Sequence, residues 1–327
     1  YEQLSIAVVG CGYWGQHLVR NFFNLGVLSA VVDSDKNQAG KFAKKYRVAN
    51  RAWEDVLLDK DIDAVSIATP AVTHSTLVTQ ALNHKKHVLV EKPMALDVKQ
   101  AESILKLAQC TNRKVMVGHL LQYHPAFLSL QQLLRNQKLG KLRYIYSNRL
   151  NFGKFRTEEN ILWSFAPHDI SMILSLTERD PIHISAVGQS YLGQGIADST
   201  ITHLSFGSNL QAHIYVSWLH PFKEQKLVVI GEEGMTVFDD TQDWNNKLVL
   251  YPHVVEESSG SPIAQRETAI EIDLQPLEPL HQECLHFLQC IIEDKPPRTD
   301  AEEGLRVLRV LTAAQEILDQ SLNQLAK

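Results

Sequence analysis

The sequence predicts an α/β protein: an N-terminal Rossmann doubly wound parallel sheet, then a C-terminal α+β domain with a large, mostly antiparallel sheet. Three observations lead there. The first third alternates short, almost wholly apolar runs with helical patterns, as a parallel sheet buried on both faces requires. The run Ser5–Val9 leads directly into Gly10-Cys11-Gly12-Tyr13-Trp14-Gly15, a turn of the form G-x-G-x-x-G that opens a helix. Beyond Gly118 the pattern changes to strand-like runs joined by turn residues such as Phe206-Gly207-Ser208-Asn209, a hairpin signal. A length of 327 residues exceeds what one hydrophobic core usually supports. Two domains are therefore expected, 1–120 and 121–327.

In order, the first domain offers strands at Ser5–Val9, Ser29–Val32, Ala64–Ala68, His87–Val90 and Lys114–Val117. Helical patterns lie between them at Gly15–Leu25, Asn37–Tyr46, Trp53–Leu58, Thr73–Asn83 and Val98–Gln109. The second domain opens with a helix at Pro125–Asn136, a long strand at Leu142–Phe152 and a short helix at Pro167–Leu176, which Ser164 could cap. Strands follow at Ile182–Gln189, Asp198–Phe206, Leu210–Ser217, Lys226–Gly231, Met235–Asp239 and Leu248–Tyr251. Two helices, Leu280–Glu293 and Ala301–Asn323, close the chain on either side of the break Lys295-Pro296-Pro297, with Thr299 or Asp300 as a plausible cap.

Bulk properties exclude several classes. A net charge of −5 and the absence of Lys/Arg runs argue against nucleic acid and against an anionic membrane surface as partners. No apolar stretch reaches the roughly 20 residues of a membrane-spanning helix. The chain opens on Tyr1 and enters a strand without a signal-peptide pattern, which reads as a trimmed N-terminus and a cytoplasmic protein. Cys11, Cys110, Cys284 and Cys290 form neither a disulfide framework nor a zinc pattern, which fits a reducing compartment. No histidine spacing suggests a metal site, and no G-x-S-x-G suggests a hydrolase nucleophile.

The glycine turn carries the first chemistry. Gly10 permits the tight turn, Gly12 lets the backbone approach a pyrophosphate, and Gly15 allows close packing of helix on strand. The helix N-terminus supplies unpaired N–H groups to the phosphates. Cys11 is a small spacer within the turn rather than a nucleophile. The next strand ends in Asp33, placed after Gly10 at about the 20-residue distance of a ribose-binding carboxylate. That carboxylate repels a 2′-phosphate, and only Ser34-Asp35-Lys36 follows it, so NAD is expected over NADP.

At Val88-Leu89-Val90-Glu91-Lys92-Pro93 a buried strand ends in Glu-Lys-Pro, and with the preceding G-x-G-x-W-G turn this resembles the Gfo/Idh/MocA family of glucose–fructose oxidoreductase, inositol dehydrogenase and relatives. Ala68-Thr69-Pro70 with His74, Ile230-Gly231-Glu232-Glu233-Gly234, Phe287, and Pro297-Arg298-Thr299-Asp300 before Gly304-Leu305 extend the likeness over the whole chain. Tyr144–Asn151 and Ile161–Ile170 look like the bacterial sugar-nucleotide branch, whose members include UDP-N-acetyl-2-amino-2-deoxyglucuronate 3-dehydrogenases. The resemblance implies oxidation of the C3 hydroxyl of a nucleotide sugar resembling UDP-N-acetylglucosaminuronate, within surface polysaccharide biosynthesis, with a transaminase and an acetyltransferase acting later. It also implies NAD as cofactor, a homodimer or homotetramer paired through the broad sheet, and a 2-oxo acid as a means of recycling tightly bound reduced cofactor.

Lys92 is the candidate for taking the hydroxyl proton, because it ends a parallel strand where open α/β sheets bind ligands and because a closed, partly apolar site lowers a lysine pKa. Considered alone it reads more readily as a surface lysine at a strand end. The resemblance implies a cis Lys92-Pro93 bond. His168 is the second catalytic candidate, sharing the substrate hydroxyl with Lys92 or relaying its proton, against a capped structural histidine. The family pattern there is Asp-x-x-x-His; this chain has Ser164 in place of the aspartate, and Asp169 points elsewhere on a helix. Cofactor contacts are expected from Gly10, Gly12, Tyr13, Trp14, Gly15, Asp33, Thr69, Pro70, His74, Glu91 and Lys92. Trp14 could instead be packing, and His74 could simply cap a helix. His119, Gln122 and Tyr123, with the neighbouring His124, are candidates for the substrate cleft, and many relatives carry an arginine near Gln122. Arg149, Asn151, Lys154 and Arg156 form a basic strand end suited to a diphosphate and a carboxylate, or else a solvated strand end. A dehydrogenase of a free sugar or cyclitol is the alternative enzyme. A non-catalytic NAD-binding sensor is the alternative of another class.

Overall fold

The computed structural model describes residues 1–327 apart from 2, 154, 194, 258, 259, 326 and 327. The chain divides into two compact units, one made of 1–123 with 277–308 and the other of 124–276 with 309–327.

In the first unit, strands and helices alternate: β1 Ile6–Val9, α1 Gly15–Asn24, β2 Leu28–Val32, α2 Lys36–Tyr46, β3 Ala49–Asn50, α3 Trp53–Leu58, β4 Ala64–Ile67, α4 His74–Asn83, β5 His87–Val90, α5 Val98–Thr111 and β6 Val115–Val117. The six strands form one parallel sheet in the order β3-β2-β1-β4-β5-β6. β1, β4 and β6 are buried along their whole length, which is why they are apolar at every position rather than at alternate ones. Val9 lies opposite Val32 and Ile67, Ile67 opposite Val90, and Val90 opposite Val117. The C-terminal ends of five strands therefore lie level, and strand order reverses at β1, where such sheets open a crevice for ligands. The two-residue β3 is too short to be signalled by periodicity.

The second unit contains α6 Pro125–Arg135, β7 Leu142–Phe152, α7 Ile161–Thr177, β8 His183–Gln189, β9 Ser199–Ser205, β10 Gln211–Ser217, β11 Leu219–Gly231, β12 Met235–Asp239, β13 Leu248–Tyr251, β14 Val254–Glu257, β15 Pro262–Gln265 and β16 Ile270–Glu271. Eight of the strands form a sheet in the order β16-β13-β12-β11-β7-β10-β9-β8. All its pairs are antiparallel except β7 with β10. β14 and β15 pair only with each other.

Three expectations are corrected. The second domain does not run unbroken from 121 to 327. α8 Pro279–Ile292 and the start of α9 Ala301–Leu325 group with the first unit. The reason lies on one face of α8, where Leu280, Cys284, Phe287 and Leu288 share a core with Leu18 and Phe22 of α1. Thr299 then extends the sheet edge, its carbonyl accepting the Val117 N–H at 2.7 Å. Finally, α7 does not begin at Pro167. It begins at Ile161, and Asn160 caps it by accepting the Trp163 N–H at 3.2 Å, which leaves Pro167 inside the helix and Ser164 without a capping role. An interior proline costs about 3 kcal/mol. Burial of Ile161, Leu162, Ala166, Ile170, Ile173 and Leu174 offsets that cost.

Candidate active site

The glycine turn is fixed by contacts that leave no room for side chains. A Cβ on Gly15 would stand 1.9 Å from the Gly10 carbonyl oxygen, and one on Gly10, whose φ is +91°, would stand 2.6 Å from that of Ala68. Gly12 differs, since a Cβ there would meet nothing within 4 Å. The chain's own packing does not demand a glycine at this position. The open space lies instead in a cavity of about 940 Å³ lined by Gly10, Gly12, Asp33, Arg51, Thr69 and Pro70, among others. α1 has no side-chain cap; the Gln16 and His17 N–H groups turn back to the Gly12 and Trp14 carbonyls at 3.1 and 2.9 Å.

Asp33 is bound into the turn. Its Oδ2 accepts the Cys11 N–H at 2.6 Å and its Oδ1 accepts the Asp35 N–H at 2.9 Å, which orients the carboxylate and leaves further lone pairs for ribose hydroxyls. Cys11 is fully buried, and burial, helped by the Asp33 charge, pushes its thiol up to about 12. It stays protonated, so it is a spacer and no nucleophile. One feature of the cavity is invisible in linear order. Lys36 and Arg51 line it with Asp33, and Arg51 is drawn to Asp59 at 2.5 Å.

At the neighbouring strand ends, Thr69 and Pro70 line the cavity, and the Thr69 hydroxyl lies 2.7 Å from that of Thr73. His74 is 1% exposed, with Nδ1 2.7 Å from the Pro93 carbonyl and Nε2 2.8 Å from the Thr69 carbonyl. It fastens the Glu-Lys-Pro segment to the β4 loop. Burial lowers its pKa, against the pull of those two carbonyls. The Lys92-Pro93 bond is cis. Trp14 is partly buried against the α1–α8 core, and its indole N–H donates to the Glu91 carboxylate. Tyr13, by contrast, is 75% exposed.

His119, Gln122 and Tyr123 are all buried. His119 Nδ1 lies 2.7 Å from a Glu303 carboxylate oxygen, the Gln122 carbonyl accepts from Arg298 at 2.8 Å, and the Tyr123 hydroxyl lies 2.8 Å from that of Thr299. The segment 298–303 thus secures all three. In the second unit, His124 caps α6 by accepting the Ala126 N–H at 3.0 Å and lies 3.3 Å from Asp240.

The basic strand end departs most from expectation. Arg149 forms a two-pronged pair with Asp169, Nε to Oδ2 at 2.7 Å and Nη2 to Oδ1 at 3.1 Å, and Asp169 also accepts the Ser147 hydroxyl at 2.5 Å. Burial alone would lower the Arg149 pKa; the charge and hydrogen bonds of Asp169 reverse this and raise it. The guanidinium is therefore committed within the protein. Arg156 is exposed beside Glu159 at 3.2 Å, Asn151 is half-buried on β7, and Lys154 lies outside the described residues. On α7, Ser164 and His168 stand one turn apart, while Asp169 turns to the sheet and Arg149.

Comparison with known proteins decides the family. Residues 4–119 match the family described as "Oxidoreductase family, NAD-binding Rossmann fold", and residues 127–237 match the "GFO/IDH/MocA C-terminal domain". The chain belongs to the Gfo/Idh/MocA oxidoreductases. The UDP-N-acetylglucosamine 3-dehydrogenase of Acidithiobacillus ferrooxidans is 27% identical over 306 residues, 93% of this chain and 94% of that protein. A solved structure of a UDP-N-acetylglucosamine 3-dehydrogenase from the same organism aligns with a TM-score of 0.85 at 25% identity, covering 98% of each chain. The scyllo-inositol 2-dehydrogenase (NAD(+)) of Bacillus subtilis is 24% identical over 312 residues, 90% of this chain and 88% of that protein.

As a Gfo/Idh/MocA oxidoreductase the chain uses NAD. Its residues fit that group: a turn closed to side chains at Gly10 and Gly15 but open at Gly12, an uncapped helix, and an oriented carboxylate at Asp33. One group, and one pairing, have no place among the sequence expectations. Glu283 faces no hydrogen-bond partner although 1% exposed. A glutamate at the core-facing spacing of Leu280, Cys284 and Phe287 is the signal that could have found it. Asp169 was noticed, but its partner Arg149, 20 residues away on β7, has no signature in the sequence.

Proposed function

We propose that this oxidoreductase converts a secondary hydroxyl of a UDP-N-acetylhexosamine-type nucleotide sugar to a ketone, at C3, with Lys92 accepting the hydroxyl proton. The reading rests chiefly on Lys92 following β5 at the level edge of the sheet where Gly10 and Thr69 line the cofactor cavity. The similarity to a UDP-N-acetylglucosamine 3-dehydrogenase over nearly the whole chain supports the substrate class. Bound NAD supplies a hydride acceptor. As the carbinol becomes a ketone it also gives up a proton, which Lys92 takes as the base. His168 on α7 is the second proton-handling residue, and Ser164 its neighbour in place of a carboxylate.

Because Arg149 is engaged by Asp169, the basic strand end no longer argues for a substrate carboxylate. UDP-N-acetylglucosamine is accordingly the first substrate to test, with the uronate second. The similarity to scyllo-inositol 2-dehydrogenase favours a free cyclitol as the competing reading. Following reduced cofactor after mixing with each nucleotide sugar and with inositols separates them; where NADH stays tightly held, a 2-oxo acid is added to recycle it and the oxidised sugar is followed instead. Turnover with inositol alone would sink the nucleotide-sugar reading. Val187 and Ile201, paired across β8 and β9 and both exposed, support assembly through the sheet as a dimer or tetramer, which light scattering measures.

A further inference from the structure

α8 packs in the same core as Trp14, whose indole N–H donates to Glu91, and it carries a second carboxyl, Glu283. Glu283 is 1% exposed, and neither of its carboxyl oxygens has a hydrogen-bond partner. An ionised carboxylate in such surroundings is far costlier than its neutral acid. Burial, and then the charge of Glu91, pushes the Glu283 pKa well above the carboxylate range. Glu91 is placed differently. Its carboxyl turns against Gly118, with Oε2 3.0 Å from where a Cβ would stand, and it accepts the Trp14 indole N–H and the Lys92 backbone N–H. Burial raises it to about 7, while Trp14, the Lys92 charge and His119 hold it down.

Two buried carboxyls that feel each other cannot both ionise readily, and the one with donors keeps the charge. We propose that Glu91 and Glu283 form a carboxyl pair holding a single proton, Glu283 as the acid and Glu91 as the anion, and that this fixed charge makes Glu91 a positioning residue for proton acceptance by Lys92. The proposal rests on the reading of Lys92 given above. When substrate is oxidised, the hydroxyl O–H bond breaks, an N–H bond forms at Lys92 Nζ, and the amine becomes an ammonium. A carboxylate on the adjacent residue stabilises that new charge, and protonating the carboxylate withdraws the stabilisation.

The other titratable groups facing the pair do not take its place. Burial, the largest cause, raises both Cys284 and Tyr123, so they stay protonated; Glu91 and Glu278 add to the effect on Cys284. Glu303, which also faces Tyr123, is paired with His119, while Arg298 lies over the Tyr123 ring at 5.3 Å. Glu91 is left as the member of the pair that titrates near neutrality.

Infrared spectroscopy of the whole protein without NAD tests the pair directly. Above neutral pH the wild type should still show a buried carboxylic-acid C=O stretch, and the near-isosteric Glu283→Gln should lose it. Absence of the band, or its persistence in Glu283→Gln, overturns the pair. For the link to Lys92, Glu91→Gln should lower kcat by about 10- to 10²-fold with little change in KM. It should also move the acid limb of the kcat–pH profile to lower pH, because the ammonium formed at Lys92 loses its neighbouring anion. Glu91→Asp should move the limb partly back. An unmoved limb overturns the positioning role. Full turnover in Lys92→Met would remove the lysine reading, and Glu91's role with it, while the infrared result on the pair would stand.

Discussion

The glycine turn of the first unit and the Arg149 strand end of the second both look, in sequence, like places to hold an anion. In the fold they are opposites. At the turn, Gly10 and Gly15 exclude side chains through contacts with the protein's own backbone, Gly12 opens on a cavity, and the helix behind it is uncapped. At the strand end, the strongest cation already has its anion, for Asp169 holds Arg149 through two hydrogen bonds and is itself 1% exposed. A backbone-built site is local and can be read from spacing. A side-chain charge belongs to whichever partner the fold brings near.

The sharpest way to break this comparison is to remove Asp169. Asp169→Ala leaves a buried guanidinium unpaired and should cost about 3–5 kcal/mol of unfolding free energy, measured by denaturant titration. If Arg149 were instead a substrate contact, the loss would appear in KM with stability nearly unchanged. Exposed Arg156 with Glu159 is the built-in control, because a surface pair is worth about 0–1 kcal/mol.

Within the turn, Gly15→Ala should destabilise the protein by about 1–3 kcal/mol, since its Cβ would collide with the Gly10 carbonyl. Gly12→Ala should change stability by less than about 0.5 kcal/mol. Its effect should appear as weaker NAD binding in a fluorescence titration. Equal stability losses in the two variants would show that Gly12 serves packing rather than a ligand.

Asp33→Asn should weaken NAD by about 10- to 10²-fold, the worth of hydrogen bonds to a charged group. It should also narrow the preference over NADP, because Lys36 and Arg51 line the same cavity. An unchanged NAD-to-NADP affinity ratio would remove Asp33 from cofactor discrimination.

The smallest effect lies at the far edge of the sheet. Burial, then the charges of Arg113 and Lys114, lowers His87 from 6.5 to about 4. The unfolded chain then binds the proton more readily than the folded one between those values, so His87's contribution to stability is present above pH 6.5 and fades as pH falls towards 4. The stability difference between wild type and His87→Gln should shrink over that window in urea titrations. A constant difference would contradict the assignment.

These contrasts also mark how far sequence reaches. The longer strands of the first unit, its glycine turn and the place of Asp33 after β2 were legible because period, turn chemistry and order all act over short distances. The start of α7 was misplaced because Pro167 reads locally as a first-turn residue, whereas burial of Ile161 and Leu162 carries the helix past it. The return of α8 to the first unit was illegible because an apolar helix face does not name its partner. For the same reason the sequence leaves Trp14 open between cofactor cover and packing and does not show that its indole N–H reaches Glu91, 77 residues away.

Lys92 carries the proposed proton transfer. Lys92→Met should still bind NAD and lose about 10²- to 10⁴-fold in kcat on the nucleotide sugar that the wild type oxidises. Turnover at the wild-type rate with NAD binding intact would contradict it.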